Sequence, residues 1–421
     1  MEQTSKSLIS RKVLPIVGER MQDEPVIILE GPRSVGKSTV LRAIAKEAGV
    51  EILDLDDLTT REAVERDPAT FISAPSPVLI DEYQKVPIVL DAIKAELNRD
   101  TRPGRFLLTG SVKNEVLPAA TQTLTGRVHT MIISPLAQSE IDGTNVNLVE
   151  SLFRGSQQLV SSVISRTNRE QYIGRITKGG FPLALEREAP ASRSRWFNDY
   201  VFKSLDQDIR EISKIRQAEM LPKLLVRLAA QTAQILNIAN AAQEIGLEKS
   251  TAENYVKLLE SVFLIQRLPA WGTTLRARSA TSPKLHFCDS GLLSHLMRLT
   301  PAKLAGNNPS ALTEFGHLLE TFVFGEISKQ ATWLDGITEI GHWRTRDNDE
   351  VDMVIERESG EVVAIEVKAG QRVSNLDFKS LRKLRDSLGS AFVMGVVIYL
   401  GNRSYNFEDR LLVLPADRIW N

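Results

Sequence analysis

The stretch GPRSVGKST, residues 31–39, has the residue types and spacing of a loop that binds nucleotide phosphates. Its glycines allow a tight turn in which backbone N–H groups point at phosphate oxygens, next to the positive end of a helix. We expect Lys37 to reach the β- and γ-phosphates and Ser38 to bind Mg²⁺. The sequence therefore predicts a site for ATP and Mg²⁺. Its candidate residues are Gly31, Pro32, Arg33, Ser34, Val35, Gly36, Lys37, Ser38 and Thr39.

Hydrolysis of ATP needs carboxylates beside this loop, and PSPVLIDEYQ supplies two at the end of an apolar strand. We expect Asp81 to hold Mg²⁺ through its hydration shell and Glu82 to orient the attacking water. A third strand, RFLLTGSV, ends in small polar residues, among them Thr109 and Ser111, suited to contact the γ-phosphate or the water. Lys37, Glu82 and Ser111 are thus candidate catalytic residues.

A second group of ionisable residues lies in EVDMVIERESGEVVAIEVKAG, residues 350–370. Glu366 and Lys368 are two apart on one strand and share a face. A three-residue turn over 358–360, with Gly360 left-handed, would place Asp352 opposite Glu366. The two carboxylates could then hold one divalent ion, with Lys368 able to stabilise a phosphate oxygen or hydroxide. Pairing of Lys368 with either carboxylate explains the same residues without a metal, and the pattern does not decide.

The elements that position these residues follow from hydrophobic periodicity. Up to about residue 140, short apolar strands alternate with helical stretches, which predicts an α/β fold with a parallel sheet covered on both faces. We place the first domain at 1–140, a helical lid or linker at 141–217, a winged-helix-like module at 218–300 and a C-terminal α/β domain at 301–421.

The winged-helix prediction depends on residues 237–271. A helix that ends at Gly246, a short turn, and a second helix capped by Ser250 or Thr251 and running to Ile265 have helix-turn-helix spacing. The following LIQRLPAW is typical of a wing strand. Such a pair of helices also serves to pack domains together, and both interpretations stay open.

The second helix offers little for reading DNA. Its expected outward residues are of mixed charge: Glu248, Lys249, Asn254 and Lys257. Arg276 and Arg278 add a local basic loop. We therefore expect at most nonspecific contact with the DNA backbone and no readout of base sequence.

Composition excludes several classes of protein. The chain has 421 residues, a formal net charge of −1 and one cysteine, Cys288, so an intrachain disulfide or a thiolate cluster cannot form. Five scattered histidines disfavour zinc. We find neither a run of about 18 apolar residues nor a secretory signal, so we expect a cytoplasmic protein without a membrane segment. Near-zero net charge excludes a broadly basic nucleic-acid coat protein.

The first 140 residues resemble the AAA-type P-loop ATPases, and more closely a prokaryotic group of them. The resemblance rests on GPRSVGKST, LIDEYQ, LLTGS and GRVHTMIISPLAQSE, in this order and at this spacing. It implies that Ser111 senses the γ-phosphate and that Gln84 is a further polar contact. Arg127 is the basic residue best suited to lie near phosphate, and a surface arginine beside a strand, the commoner arrangement, is the alternative. Because such ATPases borrow an arginine from a neighbouring subunit, the resemblance also implies a homo-oligomer.

The C-terminal hairpin resembles the PD-(D/E)xK nuclease superfamily, whose core order of helix, strand, strand, helix, strand we also expect from about Thr313. The resemblance implies that Glu320 is a further metal-binding acid beside Asp352 and Glu366, with Lys368 catalytic. The chain as a whole resembles AAA ATPases of unassigned function that carry a nuclease-like C-terminal domain. KLHFCDSGLLSHL, LLETFVFGEI, WRTRDNDEVDMVIE and VVAIEVK carry this likeness.

Two functions follow from these patterns. The first is an ATP-gated, metal-dependent nuclease acting on DNA, with a second Mg²⁺ or Mn²⁺ in the C-terminal domain. The second is an ATPase switch or scaffold whose C-terminal domain is inactive and binds nucleic acid or a protein. A small-molecule kinase is disfavoured because Glu82 suits activation of water.

Overall fold

The amino-terminal third folds around a five-stranded parallel sheet in the order β2-β3-β4-β1-β5. This computed structural model describes residues 8–113, 124, 126–155, 159–160, 162–213, 217–274, 282–306 and 309–421. The strands are β1 (Val26–Glu30), β2 (Ile52–Asp54), β3 (Val78–Asp81), β4 (Phe106–Gly110) and β5 (His129–Ile132). The helices are α1 (Val13–Asp23), α2 (Lys37–Ala48), α3 (Leu58–Arg66), α4 (Pro68–Ile72) and α5 (Val89–Leu97).

Both faces of this sheet are buried, which explains the nearly continuous apolar strands. Ile27 and Leu29 pack into the core shared with α2, whereas Val26 and Ile28 pack on the opposite face. The predicted α/β fold with a parallel sheet is therefore confirmed. Since β4 lies between β1 and β3, the carboxyl ends of these three strands meet at one edge.

A helical region follows the sheet, as the periodicity predicted. Its helices are α6 (Gln138–Ile141), α7 (Leu148–Arg154), α8 (Arg169–Lys178), α9 (Pro182–Leu185), α10 (Pro190–Lys203) and α11 (Ile209–Ile212), with a π-helical turn over Ser204–Asp208 between the last two. Asn168 begins α8 with a capping box: its side chain accepts from the Gln171 N–H, and the Gln171 side chain accepts from the Asn168 N–H.

Three helices and a two-stranded antiparallel sheet come next. They are α12 (Met220–Ala229), α13 (Ile238–Glu244), α14 (Lys249–Ser261), β6 (Ile265–Leu268) and β7 (Lys284–Phe287). The predicted strand after the second helix is thus present as β6. The outward positions on α14 are exposed as expected, and Lys249 pairs with Glu253 on the same helix. Arg276 and Arg278 lie outside the described residues.

Both predicted ends of α14 were wrong. Its cap is Glu248, whose carboxylate accepts from the Thr251 N–H, so Ser250 and Thr251 lie within the first turn. The helix ends at Ser261 because Phe263 takes a left-handed conformation, φ 59°, and Ile265 already belongs to β6.

The C-terminal part joins helices to a six-stranded sheet in the order β12-β13-β11-β10-β9-β8. The helices are α15 (Ser290–Leu296), α16 (Pro301–Ala305), α17 (Pro309–Ala331) and α18 (Lys379–Leu388). The strands are β8 (Ile337–Arg344), β9 (Glu350–Arg357), β10 (Val362–Lys368), β11 (Phe392–Tyr399), β12 (Tyr405–Glu408) and β13 (Leu411–Pro415). The expected order of helix, strand, strand, helix, strand is present as α17, β9, β10, α18 and β11, with an unforeseen β8 before β9 and two further strands after β11.

The register of the β9–β10 hairpin was predicted correctly. The Arg357 N–H donates to the Glu361 carbonyl at 3.0 Å, and Gly360 has φ 79°. Met353 pairs with Ile365, so the next step of the ladder sets Asp352 opposite Glu366. The length of the turn over 358–360 thus decides which side chains meet six residues before and after it.

One apolar core connects these parts. It contains Leu29 of β1, Ile173 of α8, Leu259 of α14, Phe322 of α17 and Leu414 of β13. Within the described ranges, no helix has both the length and the apolar character required to cross a bilayer.

Candidate functional site

The loop between β1 and α2 has the backbone shape of a phosphate cradle. Ser34 and Gly36 have φ of 62° and 98°. A Cβ added to Gly31 would lie 2.1 Å from the Ile133 carbonyl oxygen, so only glycine lets β1 turn this close to the chain leaving β5. The glycine spacing seen in the sequence is therefore a steric requirement.

Lys37 is folded into its own loop. It is 4 % exposed, and its Nζ donates to the carbonyls of Gly31 and Pro32, both at 2.8 Å. Burial lowers the pKa of Lys37 to about 8, opposed by the attraction of Glu82. The ammonium thus occupies the cradle through bonds that phosphate oxygens could replace.

Arg11 braces the loop from outside, and no sequence motif indicated it. Its guanidinium donates to the carbonyls of Val35 and of Ser134, the latter at 2.8 Å, and to Glu140 Oε1 at 3.0 Å. This planar group with several donors ties the phosphate loop to the segment after β5.

Asp81 lies at the carboxyl end of β3, next to the loop. Its carboxylate accepts a hydrogen bond from Thr109 Oγ1. Burial raises the pKa of Asp81, although the hydroxyl groups of Thr109 and Ser38 act in the opposite direction. Asp81 thus lies near Ser38, and binding of Mg²⁺ by these two residues stays a prediction.

Glu82 is held by a network of polar side chains. Its Oε2 accepts from Ser111 Oγ at 2.9 Å and from Gln84 Nε2, which also donates to Ser111 Oγ at 3.1 Å. The residue is 8 % exposed and has φ 55°, a conformation that costs energy for a residue with a Cβ. The structure thus brings Ser111 to Glu82 and Gln84, which the sequence placed in a different segment.

Of the two alternatives for Arg127, the structure has the surface arginine beside a strand. This residue precedes β5, at the amino end of the strand, and its Nη1 donates to Asn98 Oδ1 at 2.8 Å. In a parallel sheet the amino ends lie on the edge opposite to the phosphate loop. Arg127 therefore lies at the edge of the sheet opposite to the phosphate loop.

A second cluster of charges surrounds Lys284, a residue that sequence reasoning missed. Lys284 Nζ donates to Glu320 Oε1 at 2.8 Å and to Asp352 Oδ1 at 3.0 Å, and it lies 2.6 Å from Glu350 Oε1. Its side chain is 1 % exposed. Burial works to lower the pKa of Lys284, but Asp352, Glu320 and Glu350 together outweigh it and hold the pKa well above its usual range.

The other side of this cluster is formed by β10. Lys368 Nζ donates to Glu366 Oε1 at 2.7 Å, whereas Glu366 Oε2 is buried without a hydrogen-bond partner. Asp352 Oδ2 accepts from the Val367 N–H at 2.9 Å. Burial, followed by repulsion from Asp352, raises the pKa of Glu366 to about 8. Of the two pairings left open for Lys368, the structure has the one with Glu366.

A divalent ion does not fit this arrangement. The carboxylates of Glu320 and Asp352 meet as expected, but they converge on the ammonium of Lys284. Over the residues that the structure describes, no group of three or more His, Cys, Asp or Glu side chains is arranged to hold a metal ion. The predicted ligands are thus assembled around a lysine.

Comparison with protein families divides the chain into three parts. Residues 23–142 match a family described as an AAA domain. The chain contains an AAA-type ATPase domain. Residues 169–303 and 315–419 match two families described as domains of unknown function, DUF8612 and DUF4143. Lys284 thus comes from the second matched region, whereas the carboxylates around it come from the third.

Individual relatives are distant. Two proteins described as uncharacterised, from Mycobacterium bovis and Mycobacterium tuberculosis, are each 25% identical over 399 residues, which cover 94% of this chain and 81% of theirs. A Walker-type ATPase of Pyrococcus abyssi matches with a TM-score of 0.46 and 14% identity over 69% of this chain and 97% of its own. The RuvB Holliday junction branch migration motor of Thermotoga maritima matches with a TM-score of 0.29 and 16% identity, over 62% and 90%.

The AAA domain contacts the helical parts at two points next to its nucleotide site. Arg33, in the phosphate loop, forms an ion pair with Asp208, which is 1 % exposed. After β4, the Lys113 N–H donates to the Ser261 carbonyl at 2.9 Å, and Lys113 Nζ lies 5.7 Å from the centre of the Phe263 ring. The phosphate loop and the segment that follows Ser111 therefore both contact residues within the range 204–263.

Helix α17 joins the AAA domain to the C-terminal sheet. Glu326 Oε2 accepts from the Gln138 N–H at 2.7 Å, and Gln330 Oε1 accepts from the Leu148 N–H at 2.6 Å. Gln330 Nε2 in turn donates to the Ile419 carbonyl at 2.6 Å. The helix that carries Glu320 is thus fixed to the end of the AAA domain.

Proposed function

We propose that the protein binds and hydrolyses ATP at the loop of residues 31–39, and that its nucleotide state changes how the β6–β7 sheet contacts the C-terminal domain. The hydrogen-bonded group of Glu82, Gln84 and Ser111 beside Lys37 supports the proposal that ATP is hydrolysed here. The contacts of Arg33 and Lys113 with residues 204–263 support the proposal that the nucleotide state affects the β6–β7 sheet.

Binding of the phosphates would exchange one set of acceptors for another. Lys37 Nζ leaves the carbonyls of Gly31 and Pro32 and donates to phosphate oxygens in their place. Ser38 and Asp81 would hold Mg²⁺, because Ser38 lies in the first turn of α2 and Asp81 ends β3, both at the carboxyl edge of the sheet. When bound there, the ion would neutralise charge on the β- and γ-phosphate oxygens.

Hydrolysis would depend on the Glu82 carboxylate. It directly follows β3, the strand next to β4, and Ser111 and Gln84 fix its orientation. In this role Glu82 accepts a hydrogen bond from the attacking water and takes its proton as the bond from water oxygen to the γ-phosphorus forms. The bond from that phosphorus to the oxygen shared with the β-phosphate breaks, and ADP leaves with this oxygen. Ser111, which contacts both Glu82 and Gln84, is placed to respond to loss of the γ-phosphate.

Coupling would follow the chain from Ser111. Two residues later Lys113 binds the end of α14, and the chain continues through Phe263 into β6. β6 pairs with β7, with Leu268 opposite Lys284. A shift of the Ser111 strand on hydrolysis therefore has a short, continuous route to the acid cluster.

Steady-state ATP hydrolysis tests the catalytic assignment. We expect Glu82→Gln to bind ATP but to hydrolyse it at least about 100-fold more slowly, and Lys37→Ala to lose binding. Glu65→Gln, an exposed glutamate on α3, is the matched control and should leave the rate unchanged. Hydrolysis by Glu82→Gln at the wild-type rate would refute the role of this carboxylate.

Hydrogen exchange tests the coupling. We expect a non-hydrolysable ATP analogue to change amide exchange in residues 265–268 and 284–287 of the wild type and to have no effect on Lys37→Ala. Unchanged exchange there, with nucleotide bound, would contradict the proposed route.

Cleavage of nucleic acid at the C-terminal domain is a second candidate, favoured by the hairpin register that sets Asp352 opposite Glu366 and Lys368. Its test is incubation with supercoiled plasmid in Mg²⁺ or Mn²⁺, with and without ATP. If the domain is a nuclease, Asp352→Ala abolishes nicking; if ATP gates it, Lys37→Ala removes the response to ATP. If the wild type hydrolyses ATP but does not nick the plasmid, the nuclease proposal is refuted and only the ATPase switch remains.

Two proposed partners go with these functions. The first is a second copy of the chain, supplying an arginine to the ATP site, and the second is nonspecific DNA. Sedimentation with and without ATP tests the first. Salt-dependent retention of labelled duplex tests the second, because contacts to phosphate weaken steeply as salt rises.

A further inference from the structure

Lys284 forms ion pairs with three carboxylates and donates hydrogen bonds to two of them. An ammonium has three N–H donors, and oxygens of Glu320, Glu350 and Asp352 lie 2.8, 2.6 and 3.0 Å from Nζ. A charged lysine buried to this extent is stable only when opposite charges surround it. The three ion pairs around one buried ammonium therefore identify Lys284 as the cation of this cluster.

Lys284 belongs to a different sheet from the one whose carboxylates it neutralises. Lys284 begins β7, whereas Glu350 and Asp352 lie on β9 and Glu320 on α17. The β6–β7 sheet is docked through the segment that follows β6: the Trp271 N–H donates to the His342 carbonyl at 2.7 Å, and the His342 N–H donates to the Pro269 carbonyl at 2.9 Å. The position of the ammonium thus depends on a contact between two separate sheets.

Trp271 adds a side-chain bond to the same docking contact. Its Nε1 donates to Glu356 Oε2 at 2.8 Å, and the indole packs into the apolar core on one face of the C-terminal sheet. Docking is therefore specific in both hydrogen bonding and packing. Lys284 cannot leave the cluster unless these contacts rearrange.

One carboxylate oxygen of the cluster, Glu366 Oε2, accepts no hydrogen bond from either Lys284 or Lys368. Glu366 is 9 % exposed, its Oε1 accepts from Lys368, and its Oε2 has no hydrogen-bond partner. A divalent ion bound by Asp352 and Glu320 would use the oxygens that now contact Nζ. Two cations cannot share those oxygens without strong repulsion, so the ammonium and a divalent ion exclude each other.

We propose that Lys284 is an internal cation that keeps divalent ions out of the C-terminal acid cluster, so that docking of the β6–β7 sheet closes this site. This autoinhibitory contact does not depend on ATP hydrolysis or on nuclease activity. It predicts that removal of the ammonium alone opens a divalent-ion site formed by Asp352, Glu320 and Glu366.

The experiment measures binding of Mn²⁺ to the full chain without nucleotide, through the loss of the free-ion electron paramagnetic resonance signal. Lys284→Met removes the charge and keeps the apolar length of the side chain. We expect it to bind one Mn²⁺ per chain at least about tenfold more tightly than the wild type, because repulsion by the ammonium is gone. Adding Asp352→Asn to Lys284→Met should abolish this site, which separates it from any ion at Ser38.

Lys249→Met is the control. It removes one exposed positive charge, paired with Glu253 on α14, but leaves the Lys284 ammonium in place, so Mn²⁺ binding should stay at the wild-type level. Binding by the wild type that depends on Asp352 and equals that of Lys284→Met would overturn the proposal. So would the absence of a new site in Lys284→Met, since the lysine would then be a purely structural ion pair.

A second variant keeps the test decisive if Lys284→Met folds poorly. Lys284→Met combined with Glu350→Gln removes one charge of each sign, from the lysine and from its most exposed partner. We expect this pair to bind one Mn²⁺ and its unfolding midpoint to rise in Mn²⁺ but not in KCl of equal ionic strength. A midpoint that does not respond to Mn²⁺ would refute the exclusion mechanism.

Discussion

Protonation of His342 should weaken the contact that docks the β6–β7 sheet. His342 has no exposed surface, and its Nε2 donates to the Ser282 carbonyl at 3.1 Å, while Nδ1 is buried without a partner. Burial, followed by the positive charge of Lys284, lowers its pKa to about 4, with Glu350 attracting and Arg344 repelling a proton there. The folded chain therefore keeps this imidazole neutral.

The sign and size of the effect follow from linkage. Because the folded-state pKa lies below the unfolded value of about 6.5, the unfolded chain binds a proton first as the pH falls. The stability that neutral His342 contributes is complete above pH 6.5 and is lost between pH 6.5 and about 4. With these two pKa values the loss is about 2 kcal/mol at pH 5 and approaches about 3 kcal/mol at lower pH.

The assay is urea unfolding at pH 7.5 and pH 5 for the wild type and for His342→Gln, whose amide can still donate to Ser282. We expect the free energy of unfolding of the wild type to fall by about 2 kcal/mol more than that of the variant, because only the wild type gains this proton. Subtraction of the variant removes the contribution of other titrating groups, including His286. Equal losses in both proteins would refute the assignment of a buried neutral imidazole.

Two further predictions concern the phosphate loop. Gly31→Ala should abolish binding of a fluorescent ATP analogue, because its Cβ would clash with the Ile133 carbonyl, and retained affinity would contradict the steric argument. Asp208→Asn should lower the free energy of unfolding by about 2 kcal/mol, because Arg33 loses a buried charged partner, and should also weaken ATP-induced exchange changes in β6 and β7. The control for Asp208→Asn is Asp206→Asn, which breaks the exposed pair with Arg210 and should lower the free energy of unfolding by less than about 1 kcal/mol. Equal effects of the two changes would rule out a special role for the Arg33 contact.

Sequence reasoning succeeded where contiguous residues determine the chemistry. The loop of residues 31–39 has its turn, lysine and hydroxyl in one segment, and apolar strands ending in Asp81 and Ser111 allowed only a parallel sheet to bring them together. The pairing of Asp352 with Glu366 was predictable because a short turn fixes the ladder. In each case local geometry leaves few alternatives.

Long-range contacts were missed because no local pattern encodes them. Lys284 meets Glu320 and Asp352 across 36 and 68 residues, and one lysine at the start of an apolar strand gives no sign of its partners. The cap of α14 was misplaced because Glu248 takes a position where shorter polar side chains are more usual.

The order of synthesis adds a constraint to the contact between Lys284 and its carboxylates. A growing chain presents Lys284 before Glu320, Glu350 and Asp352 exist, so β7 cannot bury its ammonium until the C-terminal region has been made. A fragment that ends before residue 320 would leave that charge without acceptors, and a fragment that begins after residue 300 would lack its cation. The middle and C-terminal regions therefore complete their cores together, and neither fragment alone reproduces the native cluster.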